Sequence, residues 1–218
     1  MSQYADEALK KCRGRPKTFD RDAALDKALT LFWTHGYEGT SLSDLVAATG
    51  AKAPTLYAEF VNKEGLFRAA MERYIERFSA YRNAALQDES KSVAEAIEGW
   101  FRATAACFTD CETPSGCFFI CTSTALSSSS GEIARMLRQQ HDAQQQTLMD
   151  FLTARQQRGD IAAQTDITSL ARYLACLLQG MSVRAREGAP QADLDNIVDT
   201  LMAMWPVLTG QCQKKQIF

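Results

Sequence analysis

The chain has 218 residues, of which 46% are apolar, so it is long enough for one large or two small helical domains. Its formal net charge of -2 at pH 7 excludes a protein that is coated with cations over its whole surface. No run of about 18 apolar residues occurs, and the N-terminus lacks an apolar signal core, so we expect a cytoplasmic protein without a membrane span.

The first predicted element is a flexible basic arm, residues 1–18. Residues 10–17 hold five cationic side chains and no acid, whereas residues 64–218 hold fifteen Lys and Arg against eighteen Asp and Glu. Such an arm can enter the minor groove of DNA beside a DNA-reading helix. The alternative is a solvated tail without a partner. The arm residues that we expect to contact DNA are Arg13, Arg15 and Lys17.

Residues 19–63 are predicted to form a unit of three helices. Ser41 and Asp44 fit a capping box at the start of the second helix, and Gly50 can supply its left-handed stop. Pro54 is compatible only with the first turn of the third helix, which we place at residues 53–60. A helix, a glycine turn and a short helix form the helix-turn-helix layout, whose second helix enters the DNA major groove.

The short third helix carries the side chains that we expect to read DNA. Thr55 can hydrogen-bond to a base edge and offer a methyl group to thymine, and Tyr57 can reach a phosphate with its hydroxyl. Core packing is the alternative for Tyr57, and a solvated surface charge is the alternative for Lys63. The predicted DNA-contacting residues outside the arm are Thr40, Ser41, Lys52, Ala53, Pro54, Thr55, Tyr57 and Lys63.

Asn62 is expected to cap a long helix over residues 63–86, which would join the small unit to a larger domain, residues 64–218. Turns rich in Gly, Pro and Ser separate the helices that follow, and neither a β pattern nor an internal repeat occurs. The predicted fold class is therefore all-α, with about nine helices. It combines an N-terminal helix-turn-helix unit with a ligand-binding and dimerisation domain. The later helices are predicted at residues 92–108, 115–126, 131–158, 166–187 and 192–209.

The last two predicted helices each carry a broad apolar face. These faces either close the core of the domain or pair with the same helices of a second subunit in a four-helix bundle. We expect a homodimer on a palindromic operator, because a DNA-reading helix of this type needs two half-sites. The predicted interface residues are Leu170, Tyr173, Leu174, Leu177, Met181, Leu194, Ile197, Leu201 and Trp205.

Four cysteines lie close together in the sequence as two pairs, Cys107 with Cys111 and Cys117 with Cys121. Thiolates are suited to copper(I) or, as a set of four, to zinc. A thiol that ionises easily could instead sense oxidants or electrophiles. The remaining interpretation is that all four are small buried hydrophobic residues. A thiol enzyme is disfavoured, because no histidine is placed by sequence to act as its base.

A pocket for an effector is expected inside the larger domain. Aromatic and methionine side chains are the candidates for its lining, and each of them could equally be plain core. A helical interaction protein that does not bind DNA would leave the basic arm and the capped turn unexplained. The candidate effector-binding residues are Trp100, Phe101, Phe108, Phe118, Phe119, Met136, Phe151 and Tyr173.

A set of spaced residues in the N-terminal part resembles the TetR family of bacterial transcriptional regulators. The resemblance implies a homodimer with a DNA-binding unit on a ligand-sensing domain, and repression that a ligand relieves. Lys52 departs from the pattern, because this family often has a capping Ser or Thr there. The residues that carry the resemblance are His35, Gly36, Tyr37, Thr40, Ser41, Gly50, Leu56, Tyr57, Phe60, Asn62, Lys63, Glu64, Leu66 and Phe67.

Several further stretches resemble, more narrowly, an enterobacterial copper-responsive repressor of an outer-membrane protein. They include RGRPK at residues 13–17, AKAPTLYAEF at residues 51–60 and TPSGCF at residues 113–118. This narrower resemblance implies copper(I) as the effector, and the copper link has no other source in the sequence.

Overall fold

A computed structural model describes residues 19–126 and 130–210. Within these residues the chain forms ten α-helices and one π-helical segment and no strand, which confirms the all-α prediction. No helix in this part of the chain is long and apolar enough to cross a bilayer. The helices are α1 Arg21–Gly39, α2 Leu42–Thr49, α3 Ala53–Phe60, α4 Lys63–Tyr74, α5 Ala80–Gln87, α6 Val93–Phe108, α7 Phe118–Thr124, α8 Gly131–Gln157, α9 Ile167–Arg186 and α10 Gln191–Leu208.

Helix α1 begins after Asp20, whose carboxylate accepts a hydrogen bond from the backbone N–H of Ala23 at 3.0 Å. The helix bends at Gly36, because this glycine takes a φ of +76° and the helical backbone resumes beyond it as far as Gly39. The side chain of Thr40 fills the bend. It is fully buried, and its hydroxyl donates a hydrogen bond to the carbonyl oxygen of Gly36 at 2.8 Å.

Helix α2 has the predicted capping box. The backbone N–H of Asp44 donates to the Ser41 hydroxyl at 3.1 Å, and the backbone N–H of Ser41 donates to the Asp44 carboxylate at 2.8 Å. Gly50 ends the helix in the left-handed conformation, with a φ of +71°. Both of the local signals that defined α2 in the sequence are therefore confirmed.

A tight turn joins α3 to α4. Val61 lies at its centre with a φ of +67°, and the backbone N–H of Asn62 donates to the carbonyl oxygen of Phe60 at 2.7 Å. This i to i+2 hydrogen bond around a residue with positive φ defines a γ-turn, which is rare and strained. The side chain of Asn62 then caps α4 by accepting a hydrogen bond from the N–H of Gly65 at 2.8 Å, as predicted.

The long helix predicted at residues 63–86 is interrupted. A π-helical segment, Ile75–Ser79, separates α4 from α5 without ending the helical path. Arg73 and Arg77 both pair with Asp26 of α1, at 2.8 and 3.0 Å. The path from α4 to α5 is thus tied to α1 at the point where its winding changes.

One aromatic core serves both halves of the molecule. Trp33 of α1 packs edge-to-face on Tyr74 and Phe78, with ring centroids 5.0 and 5.4 Å apart. It also lies 6.3 Å from Phe118 at the start of α7. The small three-helix unit therefore has no separate core, because Trp33 is shared with the larger domain.

We predict that Gly65→Ala destabilises the protein by about 2–3 kcal/mol, although alanine normally favours a helix. An added Cβ would lie 2.1 Å from the carbonyl oxygen of Phe60, and that backbone is fixed by the γ-turn. The matched control is Gly99→Ala inside α6, where the nearest side-chain atom would be 3.6 Å away. We expect this control to raise stability by up to about 1 kcal/mol. Urea unfolding measures both, and equal stability of the two variants would contradict the prediction.

Candidate nucleic-acid interface and sensor cavities

Helix α3 divides into a buried face and an outer face. Leu56 and Phe60 are buried and fix the helix to the core. Lys52 and Pro54 at its N-terminal end are exposed, and Tyr57 is 40% exposed. The remaining two predicted residues of this helix, Ala53 and Thr55, are half-buried on its rim. The Lys52 side chain makes no cap hydrogen bond, in agreement with its departure from the usual capping residue.

The predicted DNA-contacting residues that flank α3 lie in different environments. The Thr40 side chain is fully buried and its hydroxyl is bonded to the Gly36 carbonyl, so the predicted phosphate contact at Thr40 would have to come from its backbone. Ser41 is exposed, with its hydroxyl engaged in the α2 cap. The Lys63 ammonium lies 4.4 Å from the ring centroid of Tyr37, and burial lowers the pKa of Lys63. Arg13, Arg15 and Lys17 lie outside the described residues.

An inner cavity of about 170 Å³ lies between the α4–α5 path and α8. Two of the predicted effector-binding residues, Trp100 and Phe119, line it. The Trp100 ring N–H donates to the amide oxygen of Asn83 at 3.1 Å, which orients both groups. Polar side chains complete the wall, and sequence reasoning assigned none of them. They are Ser79, Arg82, Asn83, Gln140, Gln144 and Thr147.

An outer cavity of about 370 Å³ adjoins the inner one, because Asn83 and Thr147 line both. Phe151 lies in its wall, as do Arg155 and Arg158. The other predicted effector residues lie elsewhere: Phe101, Phe108, Phe118 and Met136 are buried in the core, and Tyr173 lies on an exposed face of α9. The structure thus brings three of the eight predicted residues to adjoining cavities.

Arg82 lines the inner cavity, and no role was predicted for it from the sequence. It follows Tyr74 and Phe78 at intervals of four, so it continues the stripe of the long helix that faces the core. A positively charged residue at a position that continues an apolar stripe was the sequence signal that could have identified Arg82. The structure buries this arginine to 3% exposure beside Phe108, with 5.8 Å between its guanidinium carbon and the ring centroid.

The four clustered cysteines lie in different environments. Helix α6 ends at Phe108, so Cys111 lies exposed in the following turn and does not share a helix face with Cys107. Cys117 is buried, and its sulfur accepts a hydrogen bond from the Tyr74 hydroxyl at 3.5 Å. Cys121 is half-buried on α7, near the Ser182 hydroxyl at 3.9 Å.

These environments do not fit a metal site with three or four ligands. Among the described residues, no group of three or more His, Cys, Asp or Glu side chains is placed to hold a metal ion. Burial also raises the pKa of both Cys107 and Cys121, which lowers their thiolate fraction at neutral pH. The arrangement favours buried, protonated thiols at these two positions.

Most residues of the predicted dimer interface are committed to the core of their own subunit, so that prediction is wrong for them. Only Tyr173 is well exposed, while Leu177 and Ile197 are half-buried. Individual exposed apolar residues do occur on these two helices: Val183 on α9, and Met204 and Val207 on α10. The residues buried within the subunit are Leu170, Leu174, Met181, Leu194, Leu201 and Trp205.

Comparison with known proteins gives two family matches that follow the two halves of the chain. Residues 24–70 match the family described as bacterial regulatory proteins, tetR family. Residues 93–201 match the family described as tetracyclin repressor-like, C-terminal domain. The first match includes all of α2 and α3, and the second runs from the start of α6 into α10.

Similar proteins cover nearly the whole chain. The HTH-type transcriptional repressor ComR of Escherichia coli is 56% identical over 95% of this chain and 99% of its own length. The uncharacterized HTH-type regulator YezE of Bacillus subtilis is 30% identical over 88% and 98%. A solved structure of a cysteine mutant of the TetR family regulator CifR, complexed with 26bp operator DNA, is 34% identical. It covers 88% of this chain and 100% of its own, with a TM-score of 0.83. The chain therefore belongs to the TetR family of bacterial regulatory proteins.

Proposed function

We propose that this protein is a dimeric transcriptional repressor that binds a palindromic operator through α3 and is released by an effector bound in the larger domain. The proposal rests on the two faces of α3. Leu56 and Phe60 are buried on the inner face, so Lys52, Pro54 and Tyr57 are exposed on the outer side. ComR, at 56% identity, is named as a repressor, and CifR is complexed with operator DNA in its solved structure. Both descriptions support repression through operator binding. Enzyme activity forms no part of this function.

Each predicted DNA-contacting residue in and around α3 has a distinct proposed role. Thr55 and Pro54 contact base edges, and the Tyr57 hydroxyl donates to a phosphate. Lys52 and Lys63 provide positive charge near helix N-termini, where backbone N–H groups also favour phosphate. Ala53 provides an apolar contact, and the backbone at Ser41 lies beside the opposite strand. The arm residues Arg13, Arg15 and Lys17 contact the minor groove.

We place the boundary between the two proposed functional domains near residues 63–64. Residues 19–63 bind DNA, and residues 64–218 sense the effector and form the dimer. Two such subunits place two copies of α3 on half-sites about one helical turn apart. Tyr173 and Val183 on α9, together with Met204 and Val207 on α10, are the exposed apolar residues available to the partner subunit. We propose a cytoplasmic location, where such a repressor meets its operator.

Copper(I) remains a candidate effector on the narrower resemblance. The described thiols do not gather into a site of three or more ligands, so copper(I) would need two thiolates or a rearranged sensor domain. Thiol-based sensing of oxidants or electrophiles is the second candidate, and Cys111 is the exposed thiol among the four clustered cysteines. Titration of the reduced protein with copper(I), followed by operator binding, separates the two candidates, because only the first needs the metal.

We predict that Tyr57→Phe weakens operator binding by about ten-fold, or roughly 1.4 kcal/mol, because one hydrogen bond to a phosphate is lost. The loss should be similar for operators with altered bases, since a phosphate contact carries no direct sequence information. Gel shifts with the full chain measure the affinity. Tyr81→Phe, at a tyrosine that is 72% exposed in the larger domain, is the control and should bind normally. Unchanged affinity of Tyr57→Phe would argue that Tyr57 only packs.

The basic arm gives a second prediction about DNA. Replacing Arg13, Arg15 and Lys17 together by alanine should weaken binding to all sequences and reduce the slope of log affinity against log salt by up to about 2.7. Each lost phosphate contact removes about 0.9 from the slope, because fewer counterions are released. Arg158→Ala, an exposed arginine on a distant helix end, serves as control. A slope equal to that of the unmodified chain would identify the arm as a solvated tail.

The thiol environments give a prediction about reactivity. At pH 7.5, iodoacetamide should modify the exposed Cys111 at least about ten-fold faster than Cys107 or Cys121. Burial raises the pKa of the latter two thiols, so less of each is thiolate at this pH, and their rates should keep rising well beyond it. Mass spectrometry of a time course measures each site. Faster modification of Cys107 or Cys121 than of Cys111 would show that the buried thiols are the reactive ones.

A further inference from the structure

The inner cavity contains a buried cation, Arg82, that pairs with no carboxylate among the described residues. Arg82 is 3% exposed, and its side chain donates from Nε to the Phe78 carbonyl oxygen at 3.2 Å and from Nη2 to the Ser79 hydroxyl at 3.3 Å. Its Nη1 has no hydrogen-bond partner among the described residues. Leaving a guanidinium buried and incompletely bonded costs stability, because the group stays charged at any physiological pH.

The groups around Arg82 do not neutralise it. Its electrostatic neighbours are Tyr74, Cys117 and Cys107, and no carboxylate of the described chain pairs with it. Burial raises the pKa of Tyr74 and of Cys107, so both remain protonated and uncharged at neutral pH. No carboxylate of the described structure therefore balances the positive charge of Arg82.

The remaining wall of the cavity suits an anion with an apolar body. Ile75, Trp100 and Phe119 supply apolar surface, and no acidic side chain lines the cavity. The amide oxygen of Asn83 already accepts a hydrogen bond from Trp100, which leaves the Asn83 amide N–H groups as donors. A carboxylate matches this environment, because an arginine fork binds two carboxylate oxygens at once.

The cavity also touches the part of the chain that is tied to the DNA-binding unit. Ile75 and Ser79 begin and end the π-helical segment, and both line the cavity. Arg77, in the same segment, pairs with Asp26 of α1 at 3.0 Å. Single π turns inside α-helices are frequent at functional sites. A ligand that bonds to Arg82 therefore acts on a helix whose winding is coupled to α1.

We propose that the inner cavity binds a small organic carboxylate anchored by Arg82, and that this anion is an effector of the protein. The first half concerns binding alone. The second half rests on the proposed repressor function, since it requires that the anion change operator affinity. The site is separate from any reaction of the exposed Cys111, so an effect of copper or oxidants would neither support nor oppose it.

The test of binding uses the full chain at constant ionic strength with three carboxylate probes, acetate, butyrate and benzoate, and with benzamide as the neutral match for benzoate. At least one carboxylate, at up to about 10 mM, should raise the unfolding temperature in a saturable way, and benzamide should not. Arg82→Met should weaken carboxylate binding at least ten-fold. Arg138→Met, at an exposed arginine of α8, is the matched control and should bind normally.

Several outcomes would overturn the anion site. These are no response to any of the three carboxylates, an equal response to benzamide, or an unchanged response in Arg82→Met. If Arg82→Met fails to fold, Arg82→Lys becomes the deciding variant. Lysine keeps the positive charge but lacks the forked pair of N–H donors of the guanidinium. Arg82→Lys should bind the carboxylate several-fold more weakly, and binding as tight as in the unmodified chain would reject the anchor.

The test of the effector role measures operator affinity with and without a saturating carboxylate. Operator affinity of the unmodified chain should fall by at least five-fold, a typical allosteric coupling, and that of Arg82→Met should not change. Saturable binding without an effect on operator affinity would overturn the effector role and leave the anion site standing. Failure of the unmodified chain to bind any operator fragment would instead overturn the repressor proposal, while the unfolding measurement still decides the anion site.

Discussion

The ring of Phe118 lies 5.5 Å from the rings of both Phe67 and Tyr74 and 6.3 Å from Trp33. These partners belong to α1 and α4, whereas Phe118 begins α7, so one aromatic cluster crosses from the DNA-binding unit to the larger domain. Aromatic pairs of this kind contribute about 0.5–1.5 kcal/mol each beyond their burial. Because protein interiors are close-packed, this cluster provides direct contact through which strain at α7 can reach α1.

Tyr74 is where the other networks of the protein meet this cluster. Its hydroxyl donates to the sulfur of Cys117, and the backbone N–H of Cys117 donates to the hydroxyl of Ser182 on α9 at 2.8 Å. Tyr74 is also an electrostatic neighbour of Arg82 in the inner cavity. The inner cavity, the thiol region and α9 are thus all connected to Tyr74, which packs on Trp33 of α1. This convergence gives the proposed effector site a contiguous physical connection to α1.

Local signals predicted the DNA-binding unit well, because each of them depends on neighbouring residues. The Ser41–Asp44 capping box, the Gly50 stop and the Asn62 cap all act within four residues, and the structure confirms them. The burial of Thr40 and of the charged Arg82 side chain depends instead on packing within the folded chain, which local patterns do not report. Sequence spacing alone could not show which face of α9 and α10 closes against the rest of the subunit. For that reason, most of the residues predicted for the dimer interface are instead buried within the subunit.

The γ-turn at Val61 has a consequence for how operator preference can change. A β-branched residue with a positive φ costs about 1–3 kcal/mol, and Val61 is 78% exposed, so its side chain recovers little by packing. The turn places the Phe60 carbonyl directly against Gly65, and together with the buried Leu56 and Phe60 side chains it sets the angle between α3 and α4. Side chains on the outer face of α3 take no part in that geometry. They can be exchanged for others, and the operator sequence can diverge, while the helix that reads it stays in the same place.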